Sequence, residues 1–280
     1  MEYVDARRDA IEDRLREVLA RVDPPELREE LERATLAGGK RVRPTLAVLC
    51  CEAAGGETDA ALDYAVGVEL VHNASLVVDD IIDRSGLRRG EPSTWAAYGH
   101  GPAIVASDGL LGEAFALFSD DPRALETASE ALVELGQGEA TELVDRPSSE
   151  AEYMELARRK TGALFRAAAE LGAIAADADD ATIAAFGEYA ERVGVAFQLR
   201  DDVLDATAET DDLGKPTGTD EEMDRPSVLR VTDRSVPEVD ALADDQAEAA
   251  LAALEDATLD RGHAREYMEQ LAAFVVERER

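Results

Sequence analysis

Two copies of one acidic motif, Asp-Asp-x-x-Asp, carry the clearest chemical signal in this chain of 280 residues. The first is Asp79-Asp80-Ile81-Ile82-Asp83 and the second is Asp201-Asp202-Val203-Leu204-Asp205. On a helix the first and last aspartates of each copy are four positions apart, so their carboxylates leave the same face. Like charges stacked this way destabilise a helix by a few tenths of a kcal/mol unless a cation lies between them. Hard oxygen ligands with open positions for phosphate oxygens suit Mg²⁺. With 29 aspartates in the chain, chance placement gives about 0.3 matches to the pattern. One copy would therefore be weak evidence. Two copies, each filled with aliphatic residues and each ending an apolar helical run, are much stronger.

The cations point to the same kind of ligand. Gly38-Gly39-Lys40-Arg41-Val42-Arg43-Pro44 gathers three positive charges around a glycine turn at the start of a helix. Exposed backbone N–H groups with Lys and Arg make a phosphate cradle. Arg88-Arg89-Gly90 follows the first acidic motif and forms a second basic group. Each group alone reads as an ordinary surface patch. Beside concentrated carboxylates, in a chain of formal net charge −33, they imply an anionic ligand bridged by metal. Lysine is rare here: Lys40, Lys160 and Lys215 are the only three, and the other basic residues are arginines. Lys160 precedes Thr161, and Lys215 follows the second acidic motif within Gly214-Lys215-Pro216. Lysines kept at these three places point to phosphate contacts, against the plainer reading of chance survivors.

The elements that must position these groups are helices. Ala6–Val22 puts Ile11, Leu15, Val18 and Leu19 on one face, and Pro24-Pro25 stops it. Further helices are predicted over Glu26–Leu36, Pro44–Ala54, Asp59–Asp83, Gly101–Phe118, Pro122–Leu143, Ser149–Ala176, Ala181–Asp205, Pro237–Leu259 and Arg261–Arg278. No stretch shows convincing strand alternation. Ala206–Arg225 reads as one long irregular loop, a length more often functional than accidental in a compact helical protein. The expected fold is all-α, a large single-domain helical bundle over residues 1–280.

Composition excludes some functions. Acidic residues number 62 against 29 basic ones, a balance that repels nucleic acid and anionic lipid headgroups. At molar salt the Debye length falls to roughly 3 Å and internal repulsion is screened, so a halophilic, salt-filled cytoplasm is the expected setting. Cys50 and Cys51 are adjacent and give no disulfide framework, and Met1–Ala10 is too charged for a secretory signal. The most apolar stretch, Gly101–Phe118, contains Asp108 and Glu113 and reads as a buried core helix rather than a transmembrane span. No Ser-His or Cys-His constellation suggests a side-chain nucleophile.

Taken in order, the motifs from Gly38 to Lys215 resemble the trans-isoprenyl diphosphate synthases, the family of geranylgeranyl and longer-chain polyprenyl diphosphate synthases. They are Gly-Gly-Lys-Arg-x-Arg-Pro, His72 with Asp79-Asp80-x-x-Asp83, Arg88-Arg89-Gly90, Lys160-Thr161, Phe197-Gln198-Leu199-Arg200-Asp201-Asp202-x-x-Asp205 and Gly214-Lys215. The resemblance implies a helical homodimer with both Asp motifs facing a central cavity. It implies that Asp79, Asp83 and Asp201 ligate Mg²⁺, three ions with the diphosphate bound, and that Asp80, Asp202 and Asp205 complete the catalytic motifs. Arg88, Lys160 and Lys215 would hold an allylic diphosphate, and Lys40, Arg43, His72 and Arg89 isopentenyl diphosphate. Thr161 and Gln198 would offer oxygen dipoles to an allylic cation. The small Ala74 and Ser75 would form the floor under the growing tail, implying a product of geranylgeranyl length or longer.

Two departures stand out. Val78 occupies the position before the first motif where the family commonly has His, and Arg225 with Ser227 replaces its second Lys and following Thr. They leave a silent partner subunit open as an alternative. A class I terpene cyclase is the other alternative, although such enzymes usually lack both the glycine cradle and a second Asp-Asp-x-x-Asp.

Overall fold

The structure, a computed structural model, describes residues 2–211, 226–255, 257 and 262–277. Helix α4, Thr58–Ile82, sits at its centre. It is apolar around most of its circumference, which is the mark of a helix covered on all sides. Around it lie α1 (Glu2–Leu19), α2 (Pro25–Leu36), α3 (Val42–Ala53), α6 (His100–Phe118) and α9 (Ala163–Ala175). Ile11, Leu15, Leu31, Val66, Leu70, Leu110 and Phe118 close one core among these helices. Gly67 is required there: a Cβ would lie 2.4 Å from the ring of Phe118.

A second core joins α3 and α9 to α10 (Asp180–Asp211), α12 (Val236–Glu255) and α13 (His263–Glu277) through Leu46, Phe165, Phe186, Tyr189 and Met268. Gly172 lets α9 approach α3, since a Cβ would meet the carbonyl oxygen of Ala47 at 2.1 Å. The remaining elements are α5 (Thr94–Tyr98), α7 (Pro122–Val144), α8 (Glu150–Ala157) and α11 (Val228–Val231). A third core of Tyr153, Leu199, Val203, Val228 and Val239 seats α8 and α11 against α10 and α12.

The all-α expectation holds for the described residues, with local corrections, and the short helices α5 and α11 are additions to the expected elements. Strands β1 (Leu87–Arg88) and β2 (Glu91–Pro92) form a small hairpin after α4 that strand-length periodicity is too short to reveal. Its turn residues Arg89 and Gly90 both have positive φ, 54° and 84°, as a two-residue type I′ turn requires. A π-helical turn, Arg158–Gly162, interrupts the predicted Ser149–Ala176 helix. Helix α10 continues to Asp211, so the expected loop does not begin at Ala206. The first helix runs Glu2–Leu19 rather than Ala6–Val22. The rest of the expected loop, with Lys215 and Arg225, lies outside the described residues.

Helix α6 is long and apolar enough, by length and composition, to cross a membrane. One side is core, with Ala103, Ala106, Ser107, Leu110 and Phe118 buried. The other leaves Ile104 and Val105 exposed, so the helix is only half the buried element its composition suggests.

Candidate active site

The first acidic motif occupies the last turn of α4, where Asp83 is the C-cap and its N–H bonds the Asp79 carbonyl at 2.8 Å. Asp79 and Asp83 are half-buried on one face. Asp80, rotated about 100° from Asp79 by the helix, is buried instead. Its carboxylate accepts from Arg88 Nε at 3.1 Å and pairs with Arg88 Nη2 at 2.5 Å. The hairpin therefore serves to bring Arg88 back under the motif.

The second motif repeats the arrangement on α10. Asp201 is half-buried and Asp205 exposed. Asp202 is buried and accepts from Tyr153 Oη at 2.5 Å, the Val228 N–H at 2.7 Å and Gln198 Nε2 at 3.1 Å. Burial raises the Asp202 carboxyl above its usual range, with the three donors opposing. The Tyr153 phenol is pushed well up by burial and then by the Asp202 charge. In each copy, then, the middle aspartate anchors the helix inside while its neighbours face outward.

The π-helical turn links the two motifs. It carries Lys160 and Thr161, and extra-residue turns of this kind recur at functional sites. Thr161 Oγ1 donates to Gln198 Oε1 at 2.8 Å, continuing the chain to Asp202. Lys160 Nζ pairs with Glu139 at 2.9 Å and contacts Glu142, both on α7. Glu139 is raised above the usual carboxyl range by burial first and by Asp79 second, with Lys160 opposing. The Asp79 charge is thus felt at the Lys160 end of α7.

A basic pocket lies beside the first motif. Gly38 and Gly39 have φ of 91° and 132°, and a Cβ on Gly39 would lie 2.9 Å from Arg89 Nη1. Arg89 lies across these glycines and donates to the Gly38 carbonyl. Arg43 Nη1 is 3.2 Å from His72 Nε2, its guanidinium lies 4.6 Å over the Phe165 ring, and its Nε is buried without a partner. Burial pulls Arg43 down to about 10 against the pull of Glu69, which leaves it charged at neutral pH. His72 falls well below its ordinary value near 6.5, by burial first and then by Arg43, Arg89, Arg88 and Arg41. It is a neutral ring among arginines. Lys40 is exposed at the rim.

Known proteins share this plan. A family model of polyprenyl synthetases matches residues 24–270. The chain is 38% identical over 229 residues to a geranylgeranyl diphosphate synthase of Methanosarcina mazei, covering 76% of this chain and 71% of that one. It is 35% identical over 265 residues to a geranylfarnesyl diphosphate synthase of Aeropyrum pernix, covering 87% and 82%. The crystal structure of a geranylgeranyl pyrophosphate synthetase from Pyrococcus horikoshii superposes with a TM-score of 0.86 at 34% identity, covering 99% and 98%. The chain belongs to the polyprenyl synthetase family.

Against that family background, the structure adds four residues that the motifs did not single out. Glu139 and Glu142 of α7 hold Lys160, and Tyr153 of α8 holds Asp202. Glu69, buried on α4, faces the basic pocket. The arrangement also separates Arg41 from the other cations of the glycine cradle, because its guanidinium is buried away from the open side.

The state of His72 has a measurable consequence. Its depressed pKa means that it stays neutral in the folded protein, and stability is lost as pH falls below about 6.5 and the unfolded chain takes up the proton. The KM for isopentenyl diphosphate is expected to show no histidine inflection between about pH 6 and 8. An inflection in that range, absent from His72→Gln, would contradict a neutral ring held among arginines.

Proposed function

We propose that this polyprenyl synthetase homologue is a trans-prenyltransferase that condenses isopentenyl diphosphate with an allylic diphosphate, releasing diphosphate. The observation that carries this is the pairing of two outward-facing carboxylate sets with a separate basic pocket that has a buried, unpartnered arginine nitrogen. Among the described residues no three His, Cys, Asp or Glu side chains meet as a ready-made cage. That donor set fits Mg²⁺, which takes one or two carboxylates and completes its shell with substrate phosphates and water. Asp79, Asp83 and Asp201 would hold the ions, three with the diphosphate bound, and Asp205 would complete the second set. Bound Mg²⁺ supplies charge stabilisation for the departing diphosphate.

The chain's own residues do the rest. Lys160, fixed by Glu139 and Glu142, adds positive charge beside the leaving group. Lys215 and Arg225 would add to it from the segment outside the described residues. Thr161 and Gln198, bonded to each other, present oxygen dipoles to the allylic cation. Arg43, Arg89, Lys40 and neutral His72 orient isopentenyl diphosphate so that its double bond attacks C1 of the cation. A C–C bond forms, the C–O bond to diphosphate breaks, and the surplus proton passes to the released diphosphate. Asp80 and Asp202 act as positioning residues rather than as contacts to the reacting atoms, and Arg88, tied to Asp80 but 38% exposed, would also hold the allylic diphosphate.

The relatives named for geranylgeranyl and geranylfarnesyl diphosphate support a product of geranylgeranyl length or longer. Ala74 and Ser75 lie one turn or slightly more below Asp79, and both are small. Ala74 is buried, with its carbonyl bonded by Ser107 of α6 at 3.2 Å, whereas Ser75 is half-buried. Ser75→Phe is expected to shorten the main product by at least one isoprene unit. Ala74→Phe overpacks the α4–α6 contact and is expected to cost about 1–3 kcal/mol as well. Chromatography of products and thermal melts check both, and an unchanged product length in Ser75→Phe contradicts the floor assignment.

Residues 1–280 would then act as one catalytic domain, working as a homodimer in a halophilic cytoplasm. Exposed Ile104 and Val105 on α6, with Val133, Leu143 and Val144 on α7, give a second copy an apolar face to cover. The net charge of −33 supports the salt-rich setting. The test of the function is incorporation of radiolabelled isopentenyl diphosphate at molar KCl with dimethylallyl, geranyl or farnesyl diphosphate. Extractable prenyl products support it, and their absence with all three primers refutes it.

A further inference from the structure

Arg41 stands inside the Gly-Gly-Lys-Arg-x-Arg run, yet its side chain takes no part in the open pocket. Its backbone is left-handed, φ 51°, where it caps α3. That conformation is strained for a non-glycine residue. The guanidinium, 1% exposed, fixes it there. Nε donates to Glu12 of α1 at 2.6 Å, Nη1 to Glu69 of α4 at 2.6 Å, and Nη2 to the Thr35 carbonyl of α2 at 2.8 Å. Three helices converge on one side chain, and the planar fork of arginine meets them in a way a lysine cannot.

Glu69 is the other half of the device. Its side chain is 3% exposed and also accepts from Asn73 Nδ2 at 3.1 Å. One turn further along α4, His72 meets Arg43. The Glu69 charge supports the protonated forms of both Arg43 and Arg89. A buried carboxylate in such a place would compete with a substrate diphosphate for those arginines. Arg41 occupies it, while Arg43 lies against His72 and Arg89 over the glycines.

We propose that Arg41 and Glu69 are positioning residues for isopentenyl diphosphate, a buried pair that sets the glycine turn and keeps Arg43 and Arg89 available to the incoming diphosphate. Neither touches the reacting atoms. Loss of Arg41 alone frees Glu69 to draw in Arg43 or Arg89 and slackens the turn. Loss of both removes the competing carboxylate.

Steady-state kinetics at molar KCl separate this from a simple packing role. Arg41→Met is expected to raise the KM for isopentenyl diphosphate roughly tenfold while the KM for the allylic substrate stays within about twofold. The double variant Arg41→Met with Glu69→Met is expected to recover most of that loss. Should Arg41→Met fail to fold, Arg41→Lys, which keeps the charge without the fork, is expected to show the same split in smaller measure. Equal shifts in both KM values, or a double variant no better than the single, overturn the proposal. The inference rests on the prenyltransferase function proposed above, and the two fail differently. Wild-type protein without turnover on any primer refutes that function, whereas an active wild type without the KM split refutes only the positioning role.

Discussion

Asp79→Asn is expected to keep wild-type thermal stability and to lose about three orders of magnitude in kcat at saturating Mg²⁺ and both substrates. Asp79 and Asp83 stack one turn apart at the end of α4, half-buried and of like charge. Neutralising one relieves a repulsion worth a few tenths of a kcal/mol and removes a carboxylate from the proposed metal-binding face. Asp80→Asn is the informative contrast. Asp80 is buried and pairs with Arg88, whose own side chain is 38% exposed. Its loss is expected to lower stability by about 1–2 kcal/mol after allowance for solvent around Arg88. Parallel thermal melts and kcat measurements check the pair. If Asp79→Asn fell in stability as far as Asp80→Asn while keeping activity, the roles given to the two carboxylates would be reversed.

Arg43→Met is expected to raise the KM for isopentenyl diphosphate about 100-fold and leave the KM for the allylic substrate nearly unchanged. Arg43 is a desolvated cation with one nitrogen toward His72, its face on Phe165 and a buried Nε without a partner. A charge in that position has lost its water without full replacement, and a diphosphate supplies the missing acceptors. Removing the guanidinium relieves the burial cost in the empty protein. Stability is therefore expected to hold, in contrast with the Arg41 variant, which breaks three hydrogen bonds. Separate titration of each substrate decides the matter, and an equal rise in both KM values would remove Arg43 from the isopentenyl diphosphate pocket.

What the sequence made legible was what repeats or stands out chemically. Asp79 with Asp83, and Asp201 with Asp205, are visible because helical spacing turns i and i+4 to one side. Lys160 stands out because lysine is so rare in the chain. Helix α4 is visible as the longest apolar run that ends in acid. The division of labour within each motif is not visible, because the same residue type serves as outward-facing carboxylate and as buried anchor. Only the hairpin, bringing Arg88 to Asp80, and α8, bringing Tyr153 to Asp202, distinguish them.

The missed residues failed for a related reason. Glu69, Glu139 and Glu142 are three among 62 acidic residues, and no local pattern marks a buried one on a chain this acidic. The π-helical turn at Lys160 uses residues an ordinary helix accepts equally well. Its extra residue reflects how α7, α9 and α10 pack, with Gly138 close enough that a Cβ would lie 3.0 Å from the Lys160 nitrogen. The end of α10 is not legible because the stretch from Ala206 to Arg225 is rich in Asp, Gly, Thr and Pro and reads as loop. In the structure Thr207 Oγ1 donates back to the Val203 carbonyl at 3.0 Å and the helix runs on.

We expect this chain, alone and with Mg²⁺, to ionise an allylic diphosphate and join it to isopentenyl diphosphate. The direct test is a radiolabel incorporation assay on the purified chain at molar KCl, run with Mg²⁺ and again with excess EDTA. Prenyl products of geranylgeranyl length or longer are expected with the metal and none without it. Folded protein that incorporates no label in either arm would contradict it and bring the silent-partner alternative forward.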